Sequence, residues 1–202
     1  MKIGIVNYSI GNVGSVMSAF NFYNYSTALV DNAKELSSVD LIVLAGVGNF
    51  PTAAAKLKEL ALWDAISELV VVKKRPVLGI CLGMQLFATI GHENGRNRGF
   101  GWIPGEVIKL QGDFKIPHMG WSEVRPRDNE LFRASRYNYY YFMHSFHFVP
   151  DDKSVVAATT QYGNLEICSA VRKDNIAGVQ FHPEKSQSDG LRFLKNIVEV
   201  LL

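Results

Sequence analysis

Val77-Leu78-Gly79-Ile80-Cys81-Leu82-Gly83-Met84-Gln85 reads as a short apolar strand, then Gly-x-Cys-x-Gly, then an apolar helical stretch from Leu82 to Ile90. A strand, a tight turn carrying a nucleophilic side chain and a helix, in that order, are the layout of a nucleophile elbow. The flanking glycines make room for a sharp turn at the carboxyl end of the strand. The amino terminus of the following helix favours a thiolate and offers backbone N–H groups to an oxyanion. A buried structural cysteine, the commoner fate of a free thiol, fits the same local pattern. The surroundings have to decide between them.

Working outward from this elbow, the preceding residues carry three more runs of strand length: Ile3–Val6, Ala28–Val30 and Leu41–Leu44. Between strands lie helical stretches, the clearest from Thr52 to Val72, where Leu57, Leu60, Ala61, Ile66 and Leu69 recur near helical spacing. Alternation of strand and helix implies a parallel sheet with crossover helices. After Gly101 the texture changes to β-branched and aromatic segments, Trp102–Leu110, Tyr139–Val149, Val155–Gln161, Glu166–Arg172 and Ile176–Gln180, separated by Gly, Pro, Asp and Asn. These read as hairpins added to the sheet. A last helix with Leu191, Leu194, Val198 and Leu201 on one face follows Asp189, a candidate cap. With no repeat or linker, the reading is one α/β domain over 1–202: a single open, mostly parallel twisted sheet with flanking helices and added antiparallel strands.

Length and charge narrow the class. The chain has 202 residues, a formal net charge of +2, 20% charged and 48% hydrophobic residues, which is ordinary globular composition. Disorder and a strongly basic nucleic-acid surface are excluded as leading readings. The first residues lack the apolar stretch and cleavage site of a signal peptide, and no run reaches the roughly 20 apolar residues of a membrane span. A cytoplasmic protein, with neither membrane nor nucleic-acid partner, is expected. Cys81 and Cys168 are its two cysteines, and no Cys/His cluster has metal-ligand spacing. Neither a metal nor a cofactor is expected, so a special role for a cysteine must come from its reactivity.

A cysteine nucleophile needs a base, and the histidines are His92, His118, His144, His147 and His182. Gly178-Val179-Gln180-Phe181-His182-Pro183-Glu184 puts His182 just past a strand end with Glu184 two residues on, so in an extended segment both side chains point the same way. A carboxylate there can orient the imidazole, giving a Cys-His-Glu triad. In isolation, a turn with a solvated His and Glu explains the segment better.

Together, Gly79-Ile80-Cys81-Leu82-Gly83-Met84-Gln85 and Gln180-Phe181-His182-Pro183-Glu184 resemble the signature of the class I, triad-type glutamine amidotransferases, whose fold is an open, flavodoxin-like α/β sheet. Within that family the chain is most similar, over nearly its whole length, to the glutaminase subunits of imidazole glycerol phosphate synthase. The similarity is carried by Asn7-Tyr8-Ser9-Ile10-Gly11-Asn12, Ala45-Gly46-Val47-Gly48-Asn49-Phe50, Lys115-Ile116-Pro117-His118-Met119-Gly120-Trp121 and Tyr140-Tyr141-Phe142-Met143-His144-Ser145-Phe146. The Pro-His-x-Gly-Trp element discriminates best, because other glutaminases of the class usually lack it. Two departures stand out: Ala45 where the family usually has Pro, and Asn7-Tyr8-Ser9 where it usually has Asp-Tyr-Gly.

The resemblance implies that Cys81 attacks the side-chain amide of L-glutamine, His182 moves the proton to the leaving ammonia and Glu184 orients His182. It implies backbone N–H donors for the oxyanion at Gly46, Val47 and Leu82, and substrate contacts at Gln85, Glu93, Ser145 and Phe146, with Glu93 suited to the ammonium group. Cys168, in an alternating strand, is read as structural. Ammonia released to neutral water is largely protonated and no longer nucleophilic, so a second active site must receive it, and one α/β domain leaves no room for that site. The resembling family supplies it as a (β/α)8-barrel cyclase subunit forming a heterodimer in histidine biosynthesis. Asn12, Met119, Trp121, Tyr141 and Lys185 are the candidate docking residues. Three other readings stay open on the sequence: a paralogous subunit serving amidination of a surface sugar, a stand-alone thiol hydrolase or peptidase, and a non-catalytic binding module.

Overall fold

In β3 (Leu41–Gly46) alternate side chains leave on opposite sides, and both sides are covered. Leu41, Val43 and Ala45 join a buried cluster with Ile3, Ile5, Phe20, Phe193 and Leu194, while Ile42 and Leu44 join another with Val6, Phe50, Leu57 and Phe87. That double burial is why the early strands read as unbroken apolar runs.

The computed structural model describes residues 1–202. Its first part runs β1 (Lys2–Val6), α1 (Val13–Asn21), β2 (Ser26–Val30), α2 (Ala33–Ser37), β3, α3 (Phe50–Glu59), α4 (Leu62–Ser67), β4 (Val77–Cys81) and α5 (Leu82–Gln85). There follow β5 (Ile90–Gly91), β6 (Asn97–Arg98), β7 (Gly105–Lys109), β8 (His118–Glu123), β9 (Arg125–Pro126), α6 (Asn129–Phe132), β10 (Tyr139–His144), β11 (Phe146–Pro150), β12 (Val156–Tyr162), β13 (Leu165–Lys173), β14 (Ile176–Val179) and α7 (Gln187–Leu201). Eight strands form the main sheet in the order β2-β1-β3-β4-β14-β13-β12-β9. Neighbours are parallel from β2 through β14 and antiparallel from β14 outward, the expected α/β sheet with added antiparallel strands.

Several boundaries differ from the sequence reading. The helix expected over Thr52–Val72 is α3, α4 and a π-helical turn at Glu68–Val72. The N–H groups of Leu60 and Ala61 close on the carbonyls of Lys56 and Lys58, and Ala61 turns left-handed at φ 54°, redirecting the chain so that Leu62, Ile66 and Val70 remain buried. The helix expected to reach Ile90 ends at Gln85, because the carbonyls of Leu86, Phe87, Ala88 and Thr89 are taken by N–H groups from Gly99 to Ile103. The segment Tyr139–Val149 splits at Ser145, with β10 pairing β8 in one small ribbon and β11 pairing β7 in a separate sheet of order β11-β7-β5-β6. Asp189 does not cap α7, whose N-cap position is Ser186. Its carboxylate instead accepts from the backbone N–H groups of Arg136, Tyr137 and Asn138, tying α7 to the approach of β10.

Candidate active site

The elbow forms at the carboxyl end of β4, where Cys81 takes φ 54° and ψ −109° immediately before α5. Such a conformation in a non-glycine residue is a strained one, sustained by the packing around it. A Cβ at Gly83 would stand 1.7 Å from the Leu44 carbonyl oxygen, and one at Gly79 would stand 2.6 Å from the Met84 nitrogen. Only glycines let α5 close this tightly over β3 and β4. Cys81 pairs in register with Gly46 of β3, and β14 on the other side delivers Gln180 and His182.

His182 and Glu184 meet as expected, but by another route. A single 3-10 turn, Pro183–Lys185, brings Glu184 Oε1 to 2.9 Å from His182 Nδ1, with the side chains only 2% and 4% exposed. The extended segment assumed from the sequence is absent. The backbone N–H of His182 donates to the Tyr141 carbonyl at 2.8 Å, and the Ser186 hydroxyl donates to the His182 carbonyl at 2.6 Å while accepting from the Tyr141 N–H at 2.9 Å. Burial opposes charge on His182, yet Cys81 and Glu184 together outweigh it and raise the imidazole above its usual range. His182 Nε2 is buried and its contact with Cys81 falls outside ordinary hydrogen-bond geometry, as is common before such a site closes on its substrate.

Beside the sulfur lies a cavity of about 280 Å³ lined by Val47, Gly48, Leu82, Gln85, Glu93, Pro117, Met143, His144, Ser145 and Phe146. All four expected substrate residues face it. Glu93 Oε2 accepts from the Phe50 N–H at 2.8 Å, and Gln85 Nε2 donates to the Phe146 carbonyl and to Gln180 Oε1. Of the expected oxyanion donors, Val47 and Leu82 line the cavity, whereas Gly46 lies behind it under the hydroxyl of Tyr8. No group of three His, Cys, Asp or Glu side chains is arranged to hold a metal ion.

The candidate docking residues gather around the same end of the sheet. Met119 and Trp121 on β8 are 57% and 46% exposed, which removes a core role for Trp121. Trp121 meets Tyr141 edge to face across the ribbon, Lys185 Nζ sits 5.9 Å from the Tyr141 ring, and Asn12 caps α1 at Ser15. Cys168 is remote: it is buried, its S–H donates to the Ala170 carbonyl, and burial pushes its pKa up to about 12.

The family model described as "Glutamine amidotransferase class-I" matches residues 5–200. The chain belongs to the class I glutamine amidotransferases. Among curated relatives, proteins named "Imidazole glycerol phosphate synthase subunit HisH" from Pelagibacter ubique and Carboxydothermus hydrogenoformans are 38% and 43% identical, covering 99% and 98% of this chain and 100% and 98% of their own. "Imidazole glycerol phosphate synthase subunit HisH 1" of Campylobacter jejuni is 42% identical over 98% of this chain and all of its own. A solved glutamine amidotransferase is similar with a TM-score of 0.79 at 16% identity, covering 98% of each chain, and supports the fold alone.

The sequence reading of this amidotransferase missed four residues at the site. Gln180 Nε2 stands 3.5 Å from Cys81 Sγ, and the period-two spacing Gln180-x-His182 was the available signal. His118 and His144 touch each other beneath the cavity, and nothing local in the sequence couples them. Tyr8 is completely buried against Gly46 with an unpartnered hydroxyl, its pKa raised by burial and by the charge of Cys81.

Proposed function

We propose that residues 1–202 form one domain acting as the glutaminase subunit of an imidazole glycerol phosphate synthase, hydrolysing L-glutamine to L-glutamate and ammonia for a cyclase partner. The observation that carries this is the buried Cys81, His182 and Glu184 set at the mouth of a small polar cavity, in a chain 38–43% identical end to end to proteins named for that synthase.

In this reading His182 takes the thiol proton and the Cys81 sulfur attacks the amide carbon of glutamine. The N–H groups of Val47 and Leu82, with Gly46 setting the strand behind them, receive the oxyanion. The tetrahedral adduct collapses as the C–N bond breaks and His182 gives its proton to the departing ammonia. Water, deprotonated by the same imidazole, then opens the thioester and releases glutamate. Glu184 keeps the imidazole in one tautomer and supports its charge. Gln85 has both amide hydrogens engaged, so its Oε1 remains for the α-ammonium group of the substrate, with Glu93 as the counter-charge. The amides of Ser145 and Phe146 suit the α-carboxylate.

Docking falls to the β8/β10 ribbon. An exposed Trp121 beside Tyr141 and Lys185 offers the aromatic and cationic anchors typical of interfaces, and the Tyr141 carbonyl of the same ribbon accepts from the His182 N–H, so a partner docked there borders the triad. A barrel-shaped cyclase is the partner this surface is assigned. No helix of the chain is long and apolar enough to cross a membrane.

The test is ammonia release from glutamine by the purified chain, alone and with a cyclase subunit and its nucleotide acceptor. Glutamine-dependent formation of the cyclised product supports the proposal. A chain that cleaves peptides or esters and leaves glutamine intact would be a thiol hydrolase instead.

A further inference from the structure

Hydrogen bonds connect the β8/β10 ribbon to the nucleophile, and the direction of each can be assigned. Gln180, completely buried, places Nε2 3.5 Å from Cys81 Sγ, and its Oε1 is 3.0 Å from Gln85 Nε2. Gln85 Nε2 is also 2.8 Å from the Phe146 carbonyl oxygen, which His144 Nδ1 approaches at 2.9 Å. His144 Nε2 lies 3.0 Å from His118 Nδ1, and His118 Nε2 lies 2.8 Å from the Ser122 hydroxyl.

Two amide side chains in series can both be turned round and still satisfy each other, so geometry between them does not fix which end is nitrogen. The Phe146 carbonyl removes that freedom, because it only accepts. The Gln85 end facing it must be NH2, the Gln180 end facing Gln85 must be oxygen, and the Gln180 end facing sulfur must be NH2. The same carbonyl sets the imidazoles: His144 carries its hydrogen on Nδ1, His118 carries its own on Nδ1, and Ser122 donates to His118. Both rings are neutral in this arrangement, which agrees with burial holding His118 down at about 4, and with burial and the neighbouring His118 holding His144 at about 3.

We propose that Gln180 is a further catalytic residue of this glutaminase: its amide, held in one sense by Gln85 and the Phe146 carbonyl, donates to the Cys81 sulfur and stabilises the thiolate formed when His182 takes the thiol proton. In that step the S–H bond breaks, an N–H bond forms on His182 Nε2, the electron pair stays on sulfur and Gln180 keeps both of its hydrogens. The thiol's own hydrogen has only the Met143 carbonyl, 3.9 Å away, so little is lost when it leaves. The other titratable groups around the sulfur are His182 beyond β14, Tyr8 from the end of β1, His144 on β10, Glu93 across the cavity, and Glu184 behind His182. None of these donates to the sulfur as Gln180 Nε2 does at 3.5 Å. His118 and His144 are positioning residues that hold the Phe146 carbonyl.

This inference rests on Cys81 being the nucleophile, and its test is chosen to need no glutamine. In full-length chain carrying Cys168→Ser, the rate of Cys81 alkylation by iodoacetamide is measured at neutral pH. Gln180→Met keeps the length of the side chain and removes the donor; about tenfold slower alkylation is expected, the scale of one hydrogen bond to a charged group. Gln85→Glu leaves sulfur untouched, yet a carboxylate there recruits the Gln180 NH2 and turns the Gln180 oxygen toward sulfur, slowing alkylation by at least as much. In the double variant the two losses do not add, whereas a purely electrostatic effect of the carboxylate would add to the loss of Gln180. With the cyclase present, Gln180→Met lowers kcat and leaves KM within about twofold, since the Gln180 amide donates to the sulfur rather than to bound glutamine. Parental alkylation rates in the folded variants overturn the proposal. If Gln180→Met does not fold, Gln85→Glu decides alone, an unchanged rate again overturning it. A parent chain that alkylates readily and releases no ammonia from glutamine refutes the glutaminase reading instead.

Discussion

At the scale of single residues, the two cysteines have opposite surroundings. Cys81 sits in a strained turn facing an imidazole whose affinity for protons is raised, while Cys168 is sealed in β13 with its pKa pushed up to about 12 by burial. A thiolate is the reactive form, so the proposed chemistry falls to Cys81. Cys81→Ala is expected to abolish ammonia release from glutamine while the assembled synthase still makes product from added ammonium salt; Cys168→Ser should hydrolyse glutamine at the parental rate. Loss of both activities in a folded Cys81→Ala complex would break the division of labour between the subunits. In the proposed mechanism His182 moves protons in both half-reactions and Glu184 holds it through one 2.9 Å contact. His182→Asn should therefore cost nearly as much as Cys81→Ala, and Glu184→Gln should cost less than the roughly 10²–10⁴-fold worth of a general acid–base group. Initial rates of glutamate formation rank the three, and a Glu184 variant weaker than the His182 variant reverses their roles.

At the scale of elements, the ribbon of β8 and β10 joins surface to site. Its outer face exposes Met119 and Trp121, and the Tyr141 backbone holds the loop of His182 and Ser186. Trp121→Ala removes a half-exposed ring without leaving a core cavity, so the melting temperature of the isolated chain should hardly change. Its affinity for the cyclase should fall by an amount typical of an interface anchor, about 2 kcal/mol or roughly thirtyfold, read by titration calorimetry. Equal affinity would move the interface elsewhere. How far such elements could be read in advance depended on what fixes them. Parallel strands β1, β3 and β4 are apolar on both faces and announce themselves. The break at Ala61 depends on one residue turning left-handed, the end of α5 after Gln85 depends on carbonyls claimed by Gly99–Ile103, and the split at Ser145 depends on two partners, β7 and β8, that compete for one continuous aromatic run. The triad was legible because each half carries a dense local motif. Gln180 was not, because its orientation is set by a backbone carbonyl at Phe146 that only the fold brings near.

At the scale of the whole molecule, the second half buries four histidines where the first half buries none, and in three of them burial opposes the charged form. Burial lowers His118 to about 4, His144 to about 3 and His147 to about 4, each from 6.5, with His118 and Lys153 adding to the effect at His144 and His147 respectively. An unfolded chain binds protons on these rings below pH 6.5 and the native chain does not, so stability they contribute is complete above 6.5 and is lost as pH falls toward about 4. His182 runs the other way: its raised pKa gives stability that is complete below 6.5 and is lost only as pH rises through the folded value, so it adds no slope on the acid side. His147 separates this effect from catalysis, since it lies on β11 beside Cys168 with a buried, unpartnered Nδ1 and touches none of the triad. His147→Leu removes one proton-binding ring and one unsatisfied nitrogen. Urea unfolding of parent and variant, followed from neutral pH down to about pH 4.5, within the window those values set, should show the variant losing less stability per pH unit, with little difference in glutamine turnover at neutral pH. If both chains lose stability in parallel, acid sensitivity resides elsewhere in the molecule and His147 is a bystander.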